Sequence, residues 1–87
     1  MRRRVIVHGS VQGVGFRMSV ARAAEARSLC GWIRNSDDGT VEAVFEGEGD
    51  AVEALVRYCE YGSGGANVTH VIAFDEAPEG LSGFEIR

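Results

Sequence analysis

The sequence predicts an α+β sandwich, an antiparallel sheet with two helices on one face, in the order β-α-β-β-α-β. Three observations carry this. From Thr40 to Glu46 the residues alternate, with Val41, Ala43 and Phe45 on one side and Glu42 and Glu46 on the other, the period of a half-buried strand. Val52, Leu55, Val56 and Cys59 recur at i, i+3, i+4 and i+7, the spacing of an amphipathic helix. Between Trp32-Ile33 and Val41, the run Asn35-Ser36-Asp37-Asp38-Gly39 concentrates turn chemistry and implies a hairpin.

The remaining elements follow in chain order. Residues 3 to 8 are rich in β-branched side chains and read as the first strand, which Gly9 ends. The stretch from Ser10 to Gly15 carries two more glycines and reads as a loop. Phe16 to Ser28 is rich in alanine and arginine, a helical composition, with Phe16, Val20, Ala23 and Ala24 as its buried stripe. After the hairpin, Asp50 with Glu53 three residues on has the form of an N-cap and capping box for the second helix. Gly62 stops that helix and Ser63-Gly64-Gly65 forms a loop. Asn67 to Phe74 is a further strand, Pro78 and Gly80 mark a loop, and Phe84-Glu85-Ile86 fits a short terminal strand. This order is the ferredoxin-like arrangement, an architecture shared by many unrelated activities.

At 87 residues the chain builds one core, so residues 1–87 are expected to form one domain. A net charge of −4 disfavours nucleic acid, whose binding requires clustered cations. Arg2-Arg3-Arg4 is too short a run to reverse that, and reads as a solvated strand start. No apolar run is long enough for a bilayer, and Val5-Ile6-Val7 is no signal-peptide core, so a cytoplasmic protein without membrane association is expected. Cys30 and Cys59 lack metal-ligand spacing and are expected as free thiols in a reducing compartment.

The chemistry concentrates in the loop Gly9-Ser10-Val11-Gln12-Gly13-Val14-Gly15-Phe16-Arg17, which joins a strand to a helix. Successive main-chain N–H groups in such a loop can turn inward as an anion-binding nest, and the helix adds its positive N-terminal end. Arg17 lies in the first helical turn, where a cation meets like charge; a bound phosphate would reverse that penalty. On spacing alone, a tight turn explains the glycines slightly better than an anion site does. A Walker loop is excluded because no Gly-Lys-Ser/Thr follows. A dinucleotide fingerprint is excluded by the glycine spacing.

Those residues resemble the first signature of the acylphosphatase family, with every characteristic position occupied. Gly31-Trp32-Ile33-Arg34-Asn35, followed by Gly39, Val41 and Gly47, resembles its second signature, with Ile33 the one departure. The likeness runs from the first strand to Phe84-Glu85-Ile86-Arg87. It implies a hydrolase of acyl phosphates, releasing a carboxylate and inorganic phosphate without metal or cofactor. It further implies that the loop Gln12, Gly13, Val14, Gly15 and Phe16 surrounds the phosphate with its main chain, that Arg17 binds it, and that Asn35 orients the attacking water. The partners expected are then a small-molecule acyl phosphate and inorganic phosphate, as product and inhibitor.

Other residues have plainer readings. His8 and His70 read as strand residues, Asp37 and Asp38 as turn residues, and Glu46, Glu48 and Asp50 as solvated carboxylates. Trp32 reads as sheet packing, and Ser10 and Ser36 lack an adjacent base. Thr40 is placed to support Asn35, and a terminal carboxylate at Arg87 is expected to hold the Arg17 guanidinium. Two alternatives stand beside the hydrolase: a non-catalytic module of the kind found in larger proteins that handle carbamoyl phosphate, and RNA binding on the open sheet face. The second needs exposed aromatics and a basic surface.

Overall fold

A computed structural model describes residues 1–62 and 65–87. Seven elements follow one another: β1 (Arg2–Ser10), α1 (Phe16–Ala26), β2 (Cys30–Asn35), β3 (Val41–Glu46), α2 (Gly49–Tyr61), β4 (Asn67–Glu76) and β5 (Phe84–Ile86). The expected α+β sandwich is present, with five strands in the order β4-β1-β3-β2-β5. The pairs β4–β1, β1–β3 and β3–β2 are antiparallel. The short β5 departs from the expected pattern and pairs parallel to β2. The expected loop residues Ser63 and Gly64 lie outside the described residues.

Because β1 and β2 both run antiparallel to β3 and flank it, β1-α1-β2 is a split unit with its two strand ends at the same edge of the sheet. That topology positions the site described below. Both helices pack on one face, where Val5, Val7, Ile33, Val41, Ala43 and Phe45 of the sheet meet Phe16, Val20 and Ala24 of α1 and Val52, Leu55 and Cys59 of α2. All of these are removed from solvent, each larger side chain contributing roughly 1.5–3 kcal/mol of apolar burial. In α1 it is Ala21, rather than Ala23, that is fully covered; Ala23 packs at the margin of the core. Gly31 is at φ +143°, and a Cβ there would run into the main-chain oxygen of Val44, so this strand crossing accepts only glycine.

Helix α2 starts two residues earlier than its capping pattern suggests. Glu48, extended at φ −61°, is the N-cap and makes no side-chain capping bond, while Asp50 sits in the first turn. There its charge still favours the helix dipole.

The open face of the sheet corrects the expectation of solvated charges. Arg2 is 7% exposed; its Nη1 donates to Glu46 at 2.8 Å and its Nε to Glu76 at 2.9 Å. Arg4 bridges Glu76 and Glu42, and Glu42 also takes Arg34. Glu46 is buried because the segment after β4 swings across it, donating the N–H groups of Glu79, Gly80 and Leu81 at 2.9, 3.1 and 3.1 Å. Burial alone would raise the Glu46 carboxyl pKa. These three donors and the Arg2 guanidinium outweigh it and hold the group at about 2. His8 and His70 stack across β1 and β4 with ring centroids 4.1 Å apart, as strand residues. Trp32 is half-buried beneath the Arg87 guanidinium, 4.8 Å from its ring centroid.

Candidate active site

The ends of β1 and β2 and the start of α1 converge at one edge. In the ladder, Val7 pairs with Val41, and Val41 pairs with Asn35. The loop that leaves β1 therefore begins near the strand end carrying Asn35. Ile86 pairs with Ile33, and the Arg87 N–H donates to the Ile33 carbonyl at 2.8 Å, which brings the last residue of the sequence to the same edge.

Glycine shapes the loop. Gly13 and Gly15 both adopt φ +76°, while Val14 between them does not. Alternation of this kind turns successive N–H groups to one side, the geometry of a nest. Gly15 is also the left-handed N-cap of α1 and makes no side-chain capping bond, so the first N–H groups of the helix face outward. Among the described residues, no N–H from Gln12 to Arg17 donates to a protein acceptor. Six such donors are ordinarily too many to leave idle on a well-packed chain; here four of the residues that carry them, Gly13, Gly15, Phe16 and Arg17, line a concavity. Val11, Gly13, Gly15, Phe16, Arg17, Met18 and Ile86 line that cavity of about 200 Å³.

Arg17 stands at its rim. Its Nη1 donates to the main-chain oxygen of Arg87 at 3.2 Å, the residue whose terminal carboxylate was expected to hold it. None of the ion pairs among the described residues includes it. Asn35 follows Ile33 by two residues and so faces the helix side of the sheet. Its Oδ1 is buried and has no hydrogen-bond partner among the described residues. A buried amide oxygen left unpaired is destabilising by roughly 1–3 kcal/mol.

The turn after Asn35 is tightly bound. Ser36 N–H donates to the Thr40 carbonyl at 2.9 Å and Gly39 N–H to the Ser36 carbonyl at 3.1 Å. Asp38 accepts from the Thr40 N–H and hydroxyl, and those two bonds draw its pKa down. Thr40 is thus a turn residue, bonded to Asp38 and Ser36 and making no bond to the Asn35 side chain among the described residues. Gln12 has a side-chain contact beyond the main-chain part expected of it. Its side-chain Nε2 donates to the Ser36 carbonyl at 2.8 Å and the Thr40 carbonyl at 2.9 Å. No sequence spacing exposes that bond, which joins residues 24 and 28 positions apart. Met18 and Ile86, also unforeseen, supply apolar cavity wall. Cys30 and Cys59 are unbridged, and burial pushes the Cys59 thiol up to about 12, which keeps it a protonated core residue.

This arrangement has close counterparts. The profile of the acylphosphatase family matches residues 3–86. An acylphosphatase of Haloarcula marismortui is 51% identical over 86 residues, covering 99% of this chain and 94% of the relative. The chain belongs to the acylphosphatase family. The crystal structure of the Bacillus subtilis acylphosphatase superposes with a TM-score of 0.94 at 40% identity, over 99% of this chain and 97% of that one. Part of full-length HypF, solved in a phosphate- and nucleotide-bound form, superposes at 0.90 and 26% identity; the match covers 99% of this chain and 11% of that one. The activity is accordingly that of an acylphosphatase: hydrolysis of the carboxyl–phosphate bond of a small acyl phosphate to a carboxylate and inorganic phosphate.

Proposed function

We propose that the phosphoryl group sits in the 12–17 loop, held by the main-chain N–H groups of Gln12 to Phe16 and by Arg17, and that Asn35 orients the water that attacks it. The observation that carries this reading is the collection of unsatisfied groups at one sheet edge. Six main-chain donors and a guanidinium with no side-chain carboxylate lie in the loop and first helical turn, and Asn35, at the end of the strand beside them, keeps a buried amide oxygen without a partner among the described residues.

The chemistry asks for little else. The leaving group is a carboxylate, whose conjugate acid has a pKa of about 4, so it departs without a general acid. Phosphoryl transfer rests mainly on positioning and charge stabilisation. The loop amides and Arg17 stabilise charge on the phosphoryl oxygens as the carboxyl–phosphate bond breaks. The Asn35 Oδ1 accepts one hydrogen of the attacking water and aims its lone pair at phosphorus. The water's proton passes to a phosphoryl oxygen. Inorganic phosphate, which offers the same oxygens, is the expected competitive inhibitor. The unbridged cysteines support a reducing, cytoplasmic setting. Residues 1–87 act as one unit in this scheme.

Steady-state hydrolysis of benzoyl phosphate tests the scheme. Turnover is expected to persist in EDTA and to fall with added phosphate, with KM rising and kcat unchanged. A chain that bound benzoyl phosphate without turning it over would be a non-catalytic module instead.

A further inference from the structure

We infer that the side chain of Gln12 is a positioning residue, a strut that fixes Asn35 relative to the phosphate-binding loop and acts on the rate through Asn35 rather than on the phosphate. The inference rests on the role proposed for Asn35.

Three features of the geometry support it. The amide NH2 of Gln12 spends both of its hydrogens on the hairpin turn, at 2.8 Å to the Ser36 carbonyl and 2.9 Å to the Thr40 carbonyl. Two carbonyl acceptors leave no choice of amide orientation, because the opposite one would set three oxygens against each other. The two acceptors are also the pair that closes the turn, through the Ser36 N–H bond to the Thr40 carbonyl. Gln12 therefore grips the neck of the turn and not its tip. Ser36 follows Asn35 directly, and Asn35 pairs with Val41 just beyond Thr40, so the grip lies on both strands beside Asn35.

The other end of the strut is equally placed. Gln12 immediately precedes Gly13, the first of the two left-handed residues of the nest. A single side chain thus ties the element that would carry the electrophile to the element that would carry the water. The nest itself is made of main-chain N–H groups, which truncation of the Gln12 side chain leaves in place. Loss of the strut should therefore spoil the approach of water more than the binding of anion. A misplacement of order 1 Å at a reacting centre lowers rate by about 100-fold.

The test is a double-mutant cycle on kcat with benzoyl phosphate, alongside the inhibition constant of inorganic phosphate. Gln12→Ala is expected to lower kcat by about 100-fold while the phosphate constant changes by less than about threefold. In the Asn35→Ala background, adding Gln12→Ala is expected to lower kcat by less than about threefold, because the group it positions is already gone. Additive losses, or a phosphate constant that weakens in step with kcat, would overturn the inference. Near wild-type kcat for Asn35→Ala would instead overturn the role proposed for Asn35, a separate outcome. If Gln12→Ala does not fold, Gln12→Met, of similar length, completes the same cycle. Gln12→Glu adds a pH signature: its carboxylate repels both carbonyls, and its protonated form restores one donor. Its kcat relative to wild type should rise as pH falls through the carboxyl pKa, and a flat ratio would count against the strut.

Discussion

Two arginines on opposite faces of the sheet define the molecule's division of labour. Arg2 is buried on the open face and holds Glu46 and Glu76 at 2.8 and 2.9 Å. Its acceptor Glu46 is itself saturated by three main-chain donors. Arg17, at the start of α1, has one main-chain oxygen at 3.2 Å and otherwise borders a cavity ringed by unpaired N–H groups. The same guanidinium is a fastener in one place and a receptor in the other. What separates them is whether the surrounding chain has already supplied the acceptors. Charge satisfied within the fold contributes stability; charge left unsatisfied there is available to a ligand.

That contrast can be broken experimentally. The largest effect is expected at the receptor: Arg17→Ala should lower kcat/KM for benzoyl phosphate by about 10³-fold or more. Its thermal midpoint should stay close to wild type, because no side-chain carboxylate is abandoned and the one bond lost, to the Arg87 main-chain oxygen, is exposed. The converse is Arg2→Met, which leaves a buried Glu46 without its cation. Denaturant unfolding should show a loss of about 3 kcal/mol, with kcat unchanged in the folded enzyme.

The pH dependence sharpens the comparison further. Glu46 has a folded pKa of about 2, depressed below its ordinary value of 4.5. A depressed carboxyl pKa stabilises the fold above the unfolded value, and the contribution declines as pH falls from about 4.5 and is gone below about 2. Thermal midpoints measured between those limits should therefore fall in the wild type more steeply than in Glu46→Gln. The smallest expected effect is Gly15→Ala. Open space surrounds that position, but its φ of +76° strains an L-residue by roughly 1–2 kcal/mol. Stability should drop by about that amount, and phosphate affinity should drop with it if the nest opens.

Much of the fold and the centre of the site were legible before any coordinates. Strand alternation placed Val41, Ala43 and Phe45 inward, and helical spacing placed Val52, Leu55, Val56 and Cys59, because both signals are local and periodic. Gly13, Gly15 and Arg17 were legible since a strand, a glycine loop and a helix start are contiguous in sequence. Glu46 was misread as solvated. On β3 it alternates to the polar face, and only the 79–81 segment, over thirty residues on, covers it. The Gln12 strut was hidden for the same reason, since its partners exist only once β1 and β2 have paired with β3. The start of α2 was misplaced because Asp50 has the composition of a cap, while the extended backbone that makes a cap occurs at Glu48.

The most direct test of the central claim is calorimetric titration of inorganic phosphate into wild type, Arg17→Ala and Asn35→Ala. The account predicts that Asn35→Ala binds phosphate as tightly as wild type while failing to turn over substrate, and that Arg17→Ala shows no measurable binding. Wild-type affinity in Arg17→Ala would contradict it.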